Sequence, residues 1–174
     1  MRLSYCIALL AVLVCSQAPA AEQHYRVELI LFRQGPALAA SQPAPAGWAN
    51  GARLLGKRDW REPALLALAA RLTPDAGYQV LLHRAWRQPI SEPARPLALV
   101  AGPRHYEHYP VQGTLRLHPG RYQVIEAEFW INRFGAYGEL LGSERFASRR
   151  RLEPNRLNFL DNQGLGLLIR VMPL

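Results

Sequence analysis

Cysteine is confined to Cys6 and Cys15. Both lie in an N-terminal stretch that reads as a cleaved signal peptide, so residues 22–174 contain none. That excludes disulfides, thiolate nucleophiles and cysteine-rich metal sites together. Lysine is nearly missing as well: Lys57 is the one lysine among 21 basic residues. Serine is scarce and no nucleophile elbow is present, so no catalytic triad suggests itself. Long apolar runs are absent too. The longest, Tyr5 to Cys15, falls well short of the roughly 20 residues of a spanning helix. There are no internal repeats and no linker on the scale of a domain.

What the N-terminus does have is the pattern of a signal. Arg2 supplies a positive start, Tyr5 to Cys15 the apolar run, and Ala18-Pro19-Ala20 a small-residue cleavage site. Residues 1–21 are therefore expected to be removed, leaving 22–174 as one exported domain with no membrane span. A lipid anchor on Cys15 is disfavoured, because Val14 stands where a lipobox wants a small residue.

Basic residues outnumber acidic ones, and removing Arg2 from the formal net charge of +8 leaves +7. Nucleic acid is the usual partner of such a charge, but an exported protein meets little of it. The polyanions outside the cytoplasm are lipid headgroups, phosphorylated glycolipid and cell-wall carboxylates. Arginine grips carboxylate and phosphate through a bidentate fork that lysine lacks. A GC-rich genome would give the same arginine bias without any ligand.

The centre of the chain is Val111 to Arg133, two runs of strand-forming residues separated by Pro119-Gly120. A type II turn there would place Leu117 opposite Tyr122 and Leu115 opposite Val124. From Ile125 the apolar phase moves by one residue, which predicts a bulge or a sheet covered on both faces. Further strands are expected at Tyr25 to Phe32, Tyr78 to Arg87, Leu97 to Ala101, Glu144 to Leu152 and Leu165 to Met172, from alternation or continuous apolar character.

A main helix is expected after Asp59. Asp59 and Glu62 have capping spacing, Leu65, Leu68, Ala69 and Leu72 share a helical face, and Thr73-Pro74 ends it. Pro154 to Phe159 suggests a short second helix. The predicted fold class is thus α+β, a mostly antiparallel sheet with one main helix and a short second one. Gln34 to Gly51 is a Pro-, Ala- and Gly-rich loop in which Trp48 is expected to cap the core. Gln88 to Pro110 holds five prolines, which forbid a central strand or helix along its length.

Few residues carry chemistry. His105 and His108 have a spacing that metal sites use on helices, but their Pro-bounded loop favours a solvated turn. Glu126 and Glu128 share a strand face about 6–7 Å apart, near what a glycosidase needs. Such pairs also arise wherever a face is wet or opposed by arginine, and Arg116 is close. Gly164-Leu165-Gly166 lacks the context of a nucleotide fingerprint and reads as a turn. Two basic clusters remain as candidate binding sites. Arg84, Trp86 and Arg87 combine guanidinium groups with an indole that can stack on a sugar. Arg149, Arg150 and Arg151 form the densest charge, with the middle residue facing away from the other two. Both clusters also fit a charged strand edge that blocks unwanted pairing.

The segment HRAWRQP at His83 to Pro89, the hairpin LRLHPGRYQVIEAEFW and the ending SRRRLEPNRLNFLDNQGLGLLIRVMP resemble the CsiV family of gammaproteobacterial periplasmic proteins. The resemblance implies a non-enzymatic periplasmic protein that binds peptidoglycan. It further implies support for a lipoprotein-activated class A penicillin-binding synthase and for cell shape, with no cofactor. The chain has Asp161-Asn162-Gln163 where the family has Asp-His-Pro. Two other classes stay open: an envelope module that binds a protein through a sheet edge, and a glycan hydrolase using Glu126 and Glu128.

Overall fold

A computed structural model describes residues 23–37 and 42–174; the expected signal peptide lies outside the described residues. In chain order the strands are β1 (His24–Gln34), β2 (Arg53–Leu54), β3 (Trp60–Arg61), β4 (Tyr78–Pro89) and β5 (Leu97–Ala101). They continue with β6 (Val111–His118), β7 (Val124–Phe134), β8 (Leu140–Arg151), β9 (Leu157–Asn162) and β10 (Leu165–Pro173). One short helix, α1 (Leu66–Ala69), lies between β3 and β4.

The strands form two sheets. Sheet A runs in the order β3-β4-β1-β10-β9 and sheet B in the order β2-β5-β6-β7-β8. Every pairing is antiparallel except β2 with β5. Alternation along each strand sends one set of side chains inward. Leu29, Leu31, Trp86, Leu167 and Ile169 of sheet A thus meet Leu115, Leu117, Ile125, Phe129 and Phe146 of sheet B in one core. Each such side chain contributes about 1.5–3 kcal/mol on burial, which is how a domain without disulfides holds together. The sandwich closes along one side, where the Asn162 amide on β9 donates to the Ala147 carbonyl on β8 at 3.0 Å.

The α+β expectation is overturned: the fold is two β-sheets, and no main helix exists among the described residues. Trp60 and Arg61 are taken by pairing with Trp86 and Ala85 of β4. Asp59 caps nothing downstream; its carboxylate accepts from the Gly56 amide at 3.0 Å and from Arg53 at 2.6 Å. The amides of Ala64 and Leu65 donate to the Glu28 carboxylate on β1 at 3.0 and 2.7 Å. Helix then lasts only four residues and has no buried member. The apolar spacing did mark the right side, since Leu65, Leu68, Ala69 and Leu72 are half-buried while Leu66 and Ala67 are exposed.

The short second helix fails as well. Asn155 takes a positive φ of 59°, and the Asn158 side chain ties the turn by bonding the Glu153 amide and the Glu153 and Arg156 carbonyls. Residues from Leu157 onward then pair with β10.

The central hairpin exists, with a different register. Leu117 faces Ile125, Leu115 faces Ala127, and Val124 faces His118. Gly120 has φ 152°, far from the roughly 80° of a type II turn. Tyr122 therefore belongs to the loop rather than to a strand. The apparent phase change is that loop ending, and β6 and β7 pair without a bulge. Gly164 does make a turn: Gln163 and Gly164, at φ 48° and 87°, join β9 to β10, the two positive angles of a type I′ hairpin. Proline, fixed near about −65°, cannot take Gln163's conformation.

Candidate functional site

The two sequence-marked basic clusters lie far apart in the fold. β4 stands beside β3 at one edge of sheet A, and β8 is the opposite edge of sheet B, next to β9. Within His83 to Gln88 the side chains split between faces. Trp86, paired with Val27, points inward, is fully buried and donates its indole N–H to Gln88 at 2.7 Å. No sugar can stack on it there. Arg84 is on the same inner face at the open edge, its guanidinium 5.6 Å from the Trp60 ring centroid. Arg87 faces the other way and is exposed.

On β8 the three arginines also alternate. Arg149 and Arg151 project from the outer face of sheet B, and Arg150, opposite Ile125, projects on the inner side at the strand's end. Arg151 covers the half-exposed Tyr122 ring at 5.0 Å, with Arg121 at 5.7 Å from the same ring.

The outer face of sheet B is where charged groups converge. One cross-strand row runs Arg116–Glu126–Arg149. Glu126 receives Arg149 at 3.1 Å, His118 at 3.2 Å and Arg116 at 3.4 Å. The next row runs Thr114–Glu128–Ala147. Its flanking side chains are short, so Glu128 reaches into the following row for its partner. Arg145 donates to it through Nε at 2.7 Å and NH2 at 2.6 Å. Small side chains between two rows of guanidinium groups leave a notch in the face.

Residues 42–50 lie along this notch and complete it. Their course is fixed by polar anchors. The Ala44 amide donates to Ser143 Oγ at 3.0 Å, and Ser143 donates to Asn132 Oδ1 at 2.6 Å. Arg145 donates to Gln42 at 2.7 Å. Trp48 donates to the Glu107 carbonyl at 3.2 Å and meets Tyr109 edge-on at 6.5 Å. Trp48 therefore lies outside the inter-sheet core it was expected to cap. With Asn50 and Pro96 it forms the far wall of an open cavity of about 490 Å³, whose floor is the two rows. Two further hollows adjoin it, one sharing Glu128 and Arg145 and reaching Trp130 and Pro43, the other sharing Trp48 and Ala49 and reaching Arg104 and Tyr109.

Three guanidinium groups against two carboxylates give this groove a mixed charge with a cationic excess. Glu126 and Glu128 are in the arginine-opposed arrangement of a wet strand face. Of these residues the sequence marked Arg149, Glu126, Glu128 and the nearness of Arg116. Trp48 was read as a core cap, and Arg145 was missed. The only sequence signal for Arg145 is its four-residue spacing from Arg149, two same-face steps on a strand. Trp48 arrives through loop anchoring that no local pattern announces.

His105 and His108 form a tight turn, each amide bonded to the other's carbonyl at 2.8 and 2.9 Å. His105 packs on Phe134 at 4.4 Å and His108 contacts Gln112 at 3.1 Å, so their rings serve different neighbours. No group of three or more metal-ligating side chains is placed together among the described residues. No helix among them is long and apolar enough to cross a membrane.

Fold and groove together define a β-sandwich that offers an open, mixed-charge cleft on one face, suited to an extended polar ligand. The family can be named more closely: residues 53–174 match the family model for CsiV, described as a peptidoglycan-binding protein. The chain belongs to the CsiV family. The match begins at β2, so it holds every charged residue of the groove floor, while β1 and Trp48 precede it. No curated protein and no solved structure matches the chain.

Proposed function

We propose that this protein is a periplasmic, non-enzymatic peptidoglycan-binding protein that takes the wall polymer in the groove on the outer face of sheet B. Anchored to the wall, it supports activation of a class A penicillin-binding synthase together with that enzyme's lipoprotein activator, and so helps maintain cell shape. The observation that carries the binding site is the row Arg116–Glu126–Arg149 beneath Trp48. It joins guanidinium donors to an indole along an open cleft. Binding without turnover is supported by the arginine partners of both carboxylates.

Co-sedimentation of the mature chain with purified sacculi tests the proposal. Pelleting should weaken as salt rises, because exposed charge pairs are screened, and Arg149→Ala should reduce it further. Failure to pellet at any salt removes the wall-binding function. It would leave a second reading, a module that binds an envelope protein by strand addition. That reading is favoured by the outer edge of β4, which β3 covers only at Ala85 and Trp86. Stimulation of the purified synthase and activator by the protein tests the activation role directly.

A further inference from the structure

The charges of the groove decide which part of the wall polymer it reads. Resting on the wall-binding proposal, we infer that the groove recognises the peptide stem, with the glycan strand contributing little.

The chemistry of the polymer forces the distinction. The glycan strand carries hydroxyl and N-acetyl groups, and its lactyl carboxyl is consumed in the amide bond to the stem. It is therefore uncharged and offers an Arg/Glu floor nothing to pair with. Leaving five ionised groups to face a neutral chain costs desolvation without return. The stem carries free carboxylates and, where its diamino acid is not cross-linked, a free ammonium.

The floor is arranged for both signs. Arg116 and Arg149 share the single carboxylate of Glu126, and each makes one contact with it. Each guanidinium has five N–H donors, so most of their capacity is unused. Arg149's side chain is 72% exposed and Arg116's 41%. A stem carboxylate between them completes forks that Glu126 satisfies only in part. One row away, Glu128 is flanked by Thr114 and Ala147. Both Arg145 contacts fall on Oε1, and the short neighbours leave Oε2 for an ammonium group. Adjacent rows thus offer a carboxylate site and an ammonium site, spaced as the backbone spaces them, by two residues or about 6–7 Å. Trp48 on the far wall leaves an apolar surface for the stem's aliphatic part.

The test compares four ligands on the intact mature chain: whole sacculi, a disaccharide-peptide with a free diamino acid, the same compound with its amine acetylated, and glycan strands stripped of peptide with their freed lactyl carboxyls amidated. The disaccharide-peptide should bind with salt-dependent affinity, and glycan strands should not bind. Acetylating the amine should weaken binding about tenfold, the loss of one charge-assisted hydrogen bond. Glu128→Gln should abolish that tenfold discrimination, with an unchanged unfolding midpoint showing that the variant is folded. If sacculi bind and glycan strands bind as well as the disaccharide-peptide, the stem inference is overturned and wall binding stands. Equal affinity for the free and acetylated amines overturns it too. If sacculi do not bind at all, both fall.

Discussion

Arg33 and Glu144 join the two sheets. The Arg33 guanidinium on β1 donates through Nε to Glu144 on β8 at 3.3 Å and through NH2 to its other oxygen. Their side chains are only 12% and 4% exposed. Removing either member takes this ion pair from a buried charge, so Arg33→Ala or Glu144→Ala should each be destabilising, by up to about 3–5 kcal/mol. Replacing both together, Arg33→Met with Glu144→Leu, should cost far less, since two apolar groups need no partner. Urea midpoints for the three variants decide it. Single variants as stable as the parent would mean that the pair is solvated.

Glu28 ties acid stability to the short helix. Its residue is 1% exposed. Burial alone would raise its pKa, but hydrogen bonds from His83, Leu65 and Ala64, with the charge of His83, outweigh burial and hold it below its ordinary value. A depressed carboxylate pKa stabilises the fold fully above the unfolded-state value, and that contribution is lost as pH falls through the folded value. Stability should therefore decline below about pH 4, and Glu28→Gln should flatten that decline while lowering stability at neutral pH. A variant with the parent's pH slope would clear Glu28 of this role.

Trp86 and Arg149, both marked in the sequence as wall contacts, should part company on mutation. Trp86→Ala opens a cavity at the centre of the core and should cost about 3–5 kcal/mol. Arg149→Ala removes an exposed pair worth less than about 1 kcal/mol, yet should reduce binding to sacculi. Measuring stability and pelleting on both variants separates core from site.

Gly113 has no room for a side chain. A Cβ there would lie 2.2 Å from Cδ1 of Phe129 and 2.3 Å from the Glu128 carbonyl oxygen. The second contact is backbone of the paired strand and cannot turn aside. Gly113→Ala should cost about 1–3 kcal/mol, as overpacking does, and thermal unfolding will show it. An unchanged midpoint would mean that β6 and β7 can separate freely at this position.

Strands were more legible than their partners. Leu97 to Ala101 was bounded by its prolines, and the expected strand Tyr25 to Phe32 falls within β1. Register was not local information, because Tyr122 has the residue type of a strand while the loop that holds it is set by how β7 meets β6. The helix misled for a related reason. Leu65, Leu68, Ala69 and Leu72 do share a face, but the amides that would begin the helix are bonded to Glu28, 36 and 37 positions away in sequence. The site was half visible for the same cause: Arg149 announced itself by charge density, whereas Arg145 and Trp48 matter only once β8 and the loop lie over the same rows.

The first strand sits between β4 and β10 in sheet A. Tyr25 is opposite Pro173, so the first and last strands described are mutual neighbours. A polypeptide made from its N-terminus must hold β1 with one side unsatisfied until β10 is available. Such distant pairing folds slowly and exposes apolar strand edges meanwhile. Loss of β10 would remove an interior strand of sheet A, between β1 and β9. Folding of sheet A is thus a test of whether β10 has been delivered.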